Sequence, residues 1–437
     1  MSPKASVLIS APDDARGEPV RPRSGTAAKK RVGNALEFFP VMRDRAATAD
    51  HYMSWRRCPV CDGERHRPML EYDNFQFYTD AEVSKQATIR QVLCLDCFAA
   101  FMNPVFSPEG FAVLFAEAGA SYGSTSGRQA EQLDWLKEHG LLEPGTTLMD
   151  IGCYEGSFIG KLPSGIKGIG VDIDKPAIDR ARHRFGPSTA HAFICADFEK
   201  FEVAERVDVI TMFHVLEHLP RPVEVLKRLA ALATSSTRLL VEVPVVENVI
   251  FGDACGFVTV QHLTHFSKAS LSNVLHAAGW RLISSQSMEG YNGYRIVAEP
   301  APQQTCRPEP MDLGSFTTYL SRWYAAIGEL ETRLRAAKAP LCILRGGGLQ
   351  TEYLLHLTSL FAGNRKFLIV DGDPLKQGKF WRGIPIVGPD RLADIDWHDV
   401  NMVLSSYSHQ DAMRAEAKAA GIPEAAVIPL YDRIWRY

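Results

Sequence analysis

The chain has 437 residues, 46% hydrophobic and 23% charged, which is too long for one hydrophobic core and predicts roughly two to four domains. Its formal net charge of −3 offers no electrostatic pull toward nucleic acid. No apolar run reaches the ~18–20 residues of a membrane span, so neither nucleic acid nor a membrane is expected as a partner.

Residues 1–50 are rich in Pro, Gly, Ala, Arg and Asp and lack the long apolar core of a secretory signal, so they read as a mobile N-terminal tail. There are nine cysteines: Cys58, Cys61, Cys94, Cys97, Cys153, Cys195, Cys255, Cys306 and Cys342. An odd count without a signal peptide predicts a reducing, cytoplasmic setting. Four of them form two CxxC pairs, CPVC (Cys58, Cys61) and CLDC (Cys94, Cys97). Four thiolates on two turns suit a tetrahedral Zn²⁺, and closed four-cysteine sites are structural. A region of about 65 residues holds little core of its own, so a metal staple makes physical sense for a module over 51–118. A redox pair is the alternative, but no thioredoxin-like strand–helix turn accompanies it.

The next region, 119–300, alternates strands and helices. LMDIGCYEGSFI (148–159) is a strand, a glycine turn and an apolar return. A second strand ends near Asp172, and KPAIDRARHRFG follows as a helix with Gly186 as its C-cap. Residues 190–197 form a third strand ending in Asp197, 207–215 a fourth and 238–246 a fifth. RLISSQSM, YNGY and RIVAEP then read as a hairpin around Asn292-Gly293. This is the pattern of a doubly wound α/β sheet with its ligand at the carboxyl ends of the strands. The loop lacks the Gly-Lys-Ser/Thr end of a P-loop, which removes nucleoside triphosphate hydrolysis. Tyr154 stands where a dinucleotide fingerprint needs its second glycine, so a nicotinamide oxidoreductase fits only the bare loop.

DIGCYEG, VDID, CADFEKF and VITMFHVLEHL, in that order, resemble a class I S-adenosylmethionine-dependent methyltransferase. The resemblance implies S-adenosylmethionine as donor. Asp150 would anchor the loop, Gly152 and Gly156 would flank the methionine part, and Asp172 would bind the ribose. Asp197 and Phe198 would meet the adenine, and His214 would join the donor-binding set. With the cysteine module in front, the chain resembles the narrower group of zinc-containing nucleotide-sugar C-methyltransferases, which carry a Rossmann-like C-terminal domain. Residues 301–338 (a linker helix whose Phe316, Tyr319 and Trp323 stripe reads as packing) and 339–437 fit that architecture. The glycine turn Gly346-Gly347-Gly348 either binds part of a nucleotide or is a tight turn of the fold.

The resemblance implies a small-molecule acceptor, a nucleotide-linked keto-deoxysugar, methylated on carbon through an enolate. A neutral His can remove the proton beside a ketone, and hydrogen-bond donors steady the enolate oxygen. Candidates are His218 in FHVLEHL, where that family has an active-site His, and His262 and His265 in QHLTHF, with Tyr122 as an active-site Tyr. Glu217 reads as a structural or donor-loop residue. Aligning the family's Tyr-x-Glu-His motif on His262 puts Thr259 at the Tyr and Gln261 at the Glu. Those departures keep two rivals in play: O-methylation of a sugar or other small polar metabolite, and a non-catalytic assembly protein with a methyltransferase-like core.

Overall fold

A computed structural model describes residues 36–42, 52–77, 85–115, 128–186, 190–197, 206–248, 254, 259–301, 309 and 313–434. Three sheets dominate. The central one has seven strands, here numbered β1 (Thr147–Ile151), β2 (Lys167–Asp172), β3 (Ala192–Cys195), β4 (Val209–Phe213), β5 (Arg238–Pro244), β6 (Trp280–Ser287) and β7 (Gly293–Pro300), in the order β6-β7-β5-β4-β1-β2-β3. β1 to β5 are parallel, while β7 runs antiparallel to both β5 and β6. The order reverses between β1 and β4, so the crevice opens above the carboxyl ends of β1, β2, β4 and β5.

Local chemistry explains most of these elements. β1, β4 and β5 are apolar runs buried on both faces (Leu148, Met149, Ile210, Met212, Leu239, Val241), as parallel strands covered by helices must be. The helix Lys175–Phe185 starts where Asp174 accepts from the Ala177 N–H at 3.0 Å. The helix Lys268–Ala277 starts with a reciprocal capping box between Ser267 and Ser270. Gly186 does stand at the end of the first of these helices, but its backbone is still right-handed (φ −63°), so it caps without the left-handed twist expected of glycine. The hairpin of β6 and β7 forms as expected, yet it turns at Glu289-Gly290 (Gly290 φ +71°) rather than at Asn292-Gly293, and Gly293 opens β7.

The cysteine-bearing sheet has four strands in the order Thr264–His265, Ala100–Met102, Lys85–Cys94, His66–Phe77. Its first strand comes from the segment between β5 and β6, so the two units share one ladder (Thr264 opposite Phe101, His265 opposite Ala100). The helix Leu313–Leu334 buries Phe316, Tyr319 and Trp323, the last donating its indole N–H to the Ala254 carbonyl at 2.8 Å. The C-terminal sheet orders Phe380–Trp381, Ile384–Val387, Lys366–Val370, Leu341–Arg345, Val400–Leu404 and Val427–Ile428, parallel except for the first pair. Residues 36–42, assigned to the tail by composition, lie on this sheet: Phe39 exchanges two backbone hydrogen bonds with Phe367 (2.8 and 2.7 Å), and Phe38 is buried in the core. Two adjacent aromatics outweighed the polar context. Among the described residues no helix is long and apolar enough to cross a membrane.

Candidate active site

The glycine loop after β1 is held from three sides. Gly152 and Gly156 have φ of +76° and +71°, and Tyr154 between them is also left-handed at +47°. A Cβ on Gly152 would fall 2.3 Å from Val215, and one on Gly156 would fall 2.4 Å from Phe193, so neither position admits a side chain without movement. Asp172, at the end of β2, accepts the Tyr154 N–H on one oxygen (2.8 Å) and the Asp174 N–H on the other (2.9 Å). Asp150, at the end of β1, accepts from the Thr211 hydroxyl at 2.6 Å. Burial pushes the Asp150 carboxyl up to about 7 against the hydrogen bond from Thr211, and burial also raises Asp172. Asp197 stands just past β3, whereas Phe198 and Tyr122 lie outside the described residues.

The loop after β4 forms the facing wall. His214 adopts a left-handed backbone (φ +56°), and its N–H donates to the Glu242 carbonyl at 2.7 Å. Its imidazole meets the Tyr291 hydroxyl (2.7 Å) and the Glu242 carboxylate (3.1 Å). Glu242 is fully buried and also takes a charged hydrogen bond from Arg295, which lies directly opposite it across β5 and β7. Gln132 donates to the same carboxylate at 3.3 Å, and Arg128 donates to Tyr291 at 3.1 Å. Burial alone would raise Glu242, but the hydrogen bond from His214 and the charges of His214 and Arg295 hold it well below the carboxylate range. For His214 burial would lower the pKa, and the hydrogen bonds to Glu217 and Glu242 reverse the sign and raise it. His214 thus belongs to a polar cage rather than to the glycine loop itself.

His218, His262 and His265 come together from two segments. The His218 and His262 rings are 5.0 Å apart, and those of His262 and His265 are 5.8 Å apart. The Leu263 N–H donates to the Glu217 carbonyl at 2.8 Å, and His218 Nδ1 donates to the Gln261 carbonyl at 2.8 Å, which fixes one segment on the other. Desolvation, followed by the neighbouring imidazoles, holds His262 well below its ordinary value, and burial takes His265 down to about 4. Both are neutral at physiological pH. The helix after His265 is capped by Ser267, so capping does not occupy that histidine. Thr259 and Gln261 have other duties: the Thr259 hydroxyl meets the Tyr353 hydroxyl at 3.0 Å, and the Gln261 backbone carries His218.

Arg56 is the residue sequence reasoning missed here. Its guanidinium donates to the carbonyls of Met102 (3.2 Å), Pro220 (2.5 Å) and Leu263 (2.7 Å), tying both histidine segments to the cysteine module. Burial lowers its pKa to about 10, which leaves it charged. Its only signal in the sequence is a basic residue two places before Cys58. Glu242 and Arg295 were also missed, although a lone acid in LLVEVPV and a lone Arg in YRIVAEP mark a buried cross-strand pair.

The four sulfurs of Cys58, Cys61, Cys94 and Cys97 lie within 4.8 Å of one another, with Cys58–Cys97 at 3.6 Å and Cys61–Cys94 at 3.7 Å. A tetrahedral Zn²⁺ with bonds of about 2.3 Å sets its sulfurs roughly 3.8 Å apart, so the cluster fits that ion. Disulfides would need about 2.05 Å.

Residues 126–285 match the family described as Methyltransferase domain. The central unit is a class I S-adenosylmethionine-dependent methyltransferase domain, and the protein is a methyltransferase. It is similar to the C-methyltransferase NovU of Streptomyces niveus, with 23% identity over 326 residues, 69% of this chain and 76% of that one. It is also similar to the ubiquinone biosynthesis O-methyltransferase of Aeromonas salmonicida (strain A449), with 29% identity over 116 residues, 25% of this chain and about half (48%) of that enzyme. The solved magnesium protoporphyrin IX methyltransferase of Synechocystis PCC 6803 with bound SAM superposes with a TM-score of 0.31, at 20% identity over 40% of this chain and 78% of that one. That superposition is too loose to bear on the site. For this methyltransferase the donor is S-adenosylmethionine, which makes the acidic, glycine-lined crevice above β1 and β2 the place to look for it. The acceptor chemistry is then sought on the histidine wall, whose Val215 touches the glycine loop.

Proposed function

We propose that this methyltransferase methylates the carbon beside a ketone in a nucleotide-linked deoxysugar. The observation that carries the reading is the meeting of His218 and His262, from separate segments, on the wall that Val215 joins to the glycine loop. The donor's sulfonium is already electrophilic, so the protein has only to align an in-line attack and expose the carbon nucleophile. The α proton leaves toward the wall of His218 and His262, and the Asp172 carboxylate takes the donor's ribose. NovU, named as a C-methyltransferase and matched across most of both chains, supports transfer to carbon. O-methylation is the second reading. It is favoured by Thr259, which faces Tyr353 instead of offering a phenol, and by the likeness to an O-methyltransferase.

Incubation with donor and a panel of nucleotide-linked keto-deoxysugars, read by mass and NMR, tests this. A new carbon–methyl bond, together with solvent deuterium entering the α position in the absence of donor, is expected. Oxygen-linked methyl as the only product would overturn it. His262→Ala should cut turnover by ~10²-fold or more.

Cys58, Cys61, Cys94 and Cys97 would hold a structural Zn²⁺. One equivalent of zinc per chain by mass spectrometry, lost in Cys58→Ser with a fall in melting temperature, is the expected result. Turnover should fall as well, because Arg56 and the strand Ala100–Met102 connect this module to both histidine segments.

A further inference from the structure

The C-terminal domain reaches the histidine wall through a buried phenol. Tyr353 lies on the helix Leu349–Leu357, which follows the second glycine turn. Its ring packs against two aromatics of the cysteine-bearing sheet, 5.1 Å from Phe75 and 5.6 Å from Tyr72. The preceding residue, Glu352, ties the helix down. Its buried carboxylate accepts from Arg382 Nε (2.9 Å), from the Trp381 indole N–H (2.8 Å) and from the Gln76 N–H (3.0 Å). A phenol on such a mount is held in one direction, and its hydroxyl meets the segment that carries His262. There it accepts the Val260 N–H at 2.7 Å and lies 3.0 Å from the Thr259 hydroxyl. The Thr259 hydroxyl in turn accepts the Gln261 N–H at 3.4 Å, and the Gln261 carbonyl accepts His218 Nδ1 at 2.8 Å. A chain of hydrogen bonds thus runs from the C-terminal domain to the ring of His218, and it passes through the residue next to His262.

We propose that Tyr353 is a positioning residue of the methyl-transfer site, acting through Thr259 and Gln261 to fix the ring of His218 and to set His262 against it. The group that holds one ring proton decides the tautomer of a neutral imidazole, and so which nitrogen is left to take another proton. For His218 that group is the Gln261 carbonyl, whose direction depends on the turn made by Thr259, Val260 and Gln261. Two hydrogen bonds to one phenol oxygen hold that turn. Val260 and Leu263 are buried in the same apolar cluster as Tyr353, so packing keeps the segment in place when the hydroxyl alone is removed. What is then lost is the orientation of the peptide, not the contact between the domains. The positioning stands on this geometry, whereas its effect on turnover rests on the function proposed above, in which the α proton leaves toward His218 and His262. A buried side chain of the C-terminal domain thereby takes part in the reaction, whether or not the glycine turn of that domain holds a ligand.

Nitrogen NMR of the histidine side chains in the full-length chain tests this, with the His218 signal identified by its loss in His218→Asn. The wild type is expected to carry the His218 proton on Nδ1. Tyr353→Phe keeps the packed ring and Thr259→Val keeps the shape of the turn, and each should mix in the other tautomer. Thr259→Ser, which keeps the hydroxyl, should not. With donor and a nucleotide-linked keto-deoxysugar, Tyr353→Phe should lower kcat by ~10-fold or more and leave KM for the donor within about twofold. The double variant Tyr353→Phe, Thr259→Val should fall no further than the worse single one, because both cut the same chain. Melting temperatures report separately on folding. A wild-type His218 protonated elsewhere, or a tautomer unchanged in either variant, would overturn the proposal, and so would a mixed tautomer with keto-sugar turnover intact. A tautomer that mixes in both variants, with no keto-sugar methylated even by the wild type, would sink the function proposed above and leave the positioning role standing.

Discussion

The molecule builds the same backbone device twice and sets it beside acids in one domain and paired ions in the other. In the central domain Asp172 accepts the N–H of Tyr154 in the first glycine loop and, on its other oxygen, the N–H two residues ahead (2.8 and 2.9 Å). In the C-terminal domain Asp371 accepts the N–H of Gly347 and the N–H of Asp373 in the same way (2.7 and 2.8 Å). Around the first loop stand the acids Asp150 and Asp197. Around the second stand Arg345, at the end of its strand and paired with Glu416 at 2.8 Å, and Lys376, whose ammonium is 3.5 Å from Asp371. An acidic crevice suits a donor that carries a sulfonium and an ammonium. The second crevice has its acid already matched by a lysine, and its loop passes at once into the helix Leu349–Leu357. The shared device is therefore a property of the fold, and the charges beside its two copies differ.

The largest expected effect breaks the two loops apart. Gly152→Ala places a Cβ 2.3 Å from Val215 on a backbone at φ +76°, so donor binding by calorimetry should weaken by ~10²-fold or more. Gly347→Ala, whose Cβ would meet Ile369 at 3.0 Å on an ordinary backbone, should leave donor affinity within about twofold and lower the melting temperature by only a few degrees. Equal losses from both would mean that the C-terminal loop, too, serves the donor.

A smaller effect comes from the matched acids. Asp172→Asn removes the charge expected to meet the ribose while keeping an acceptor for the Tyr154 N–H, and should cost about 1.5–3 kcal/mol of donor binding, roughly 10- to 100-fold. Asp371→Asn should leave donor affinity unchanged and show itself only in stability. A donor affinity that follows Asp371 as closely as Asp172 would erase the distinction drawn from Lys376.

How much of this was legible in the sequence follows from how far apart the partners are. The first glycine loop is local: Gly152, Gly156 and Asp150 fall within seven residues and Asp172 ends the next strand, so their grouping was visible in the spacing, while their roles toward the donor came from the resemblance. The four cysteines were legible because CxxC spacing encodes a turn by itself. The histidine wall was half legible. FHVLEHL and QHLTHF each suggested chemistry, but their contact depends on Leu263 pairing with Glu217 across 46 residues and on Arg56 reaching both from another module. No periodicity reports such a long-range bridge. Glu217 read as a structural or donor-loop residue because its burial beside His214 and His218 exists only in three dimensions. Phe38 and Phe39 were lost in the tail because two aromatics carry too little signal against a long polar stretch.

The smallest effect concerns pH, and it sharpens the contrast at the first strand-end residue of each loop, Asp150 against Arg345. An ordinary aspartate has a pKa of about 3.9, and burial lifts Asp150 to about 7 in the free protein. A folded pKa above the unfolded one means that the native state binds the proton more tightly between those values. Asp150 therefore contributes most to stability below about pH 4, and that contribution is lost as pH rises toward 7. Donor binding acts in the other direction, because a cation in the crevice favours the carboxylate. Below pH 7 the donor must displace the Asp150 proton; above it the carboxylate is already formed. Donor affinity should thus tighten up to about tenfold from pH 6 to pH 8 and level off there. Asp150→Asn should bind more weakly throughout and lose the slope, whereas Arg345→Gln should keep it. A slope that persists in Asp150→Asn would move the titration to another group of the crevice.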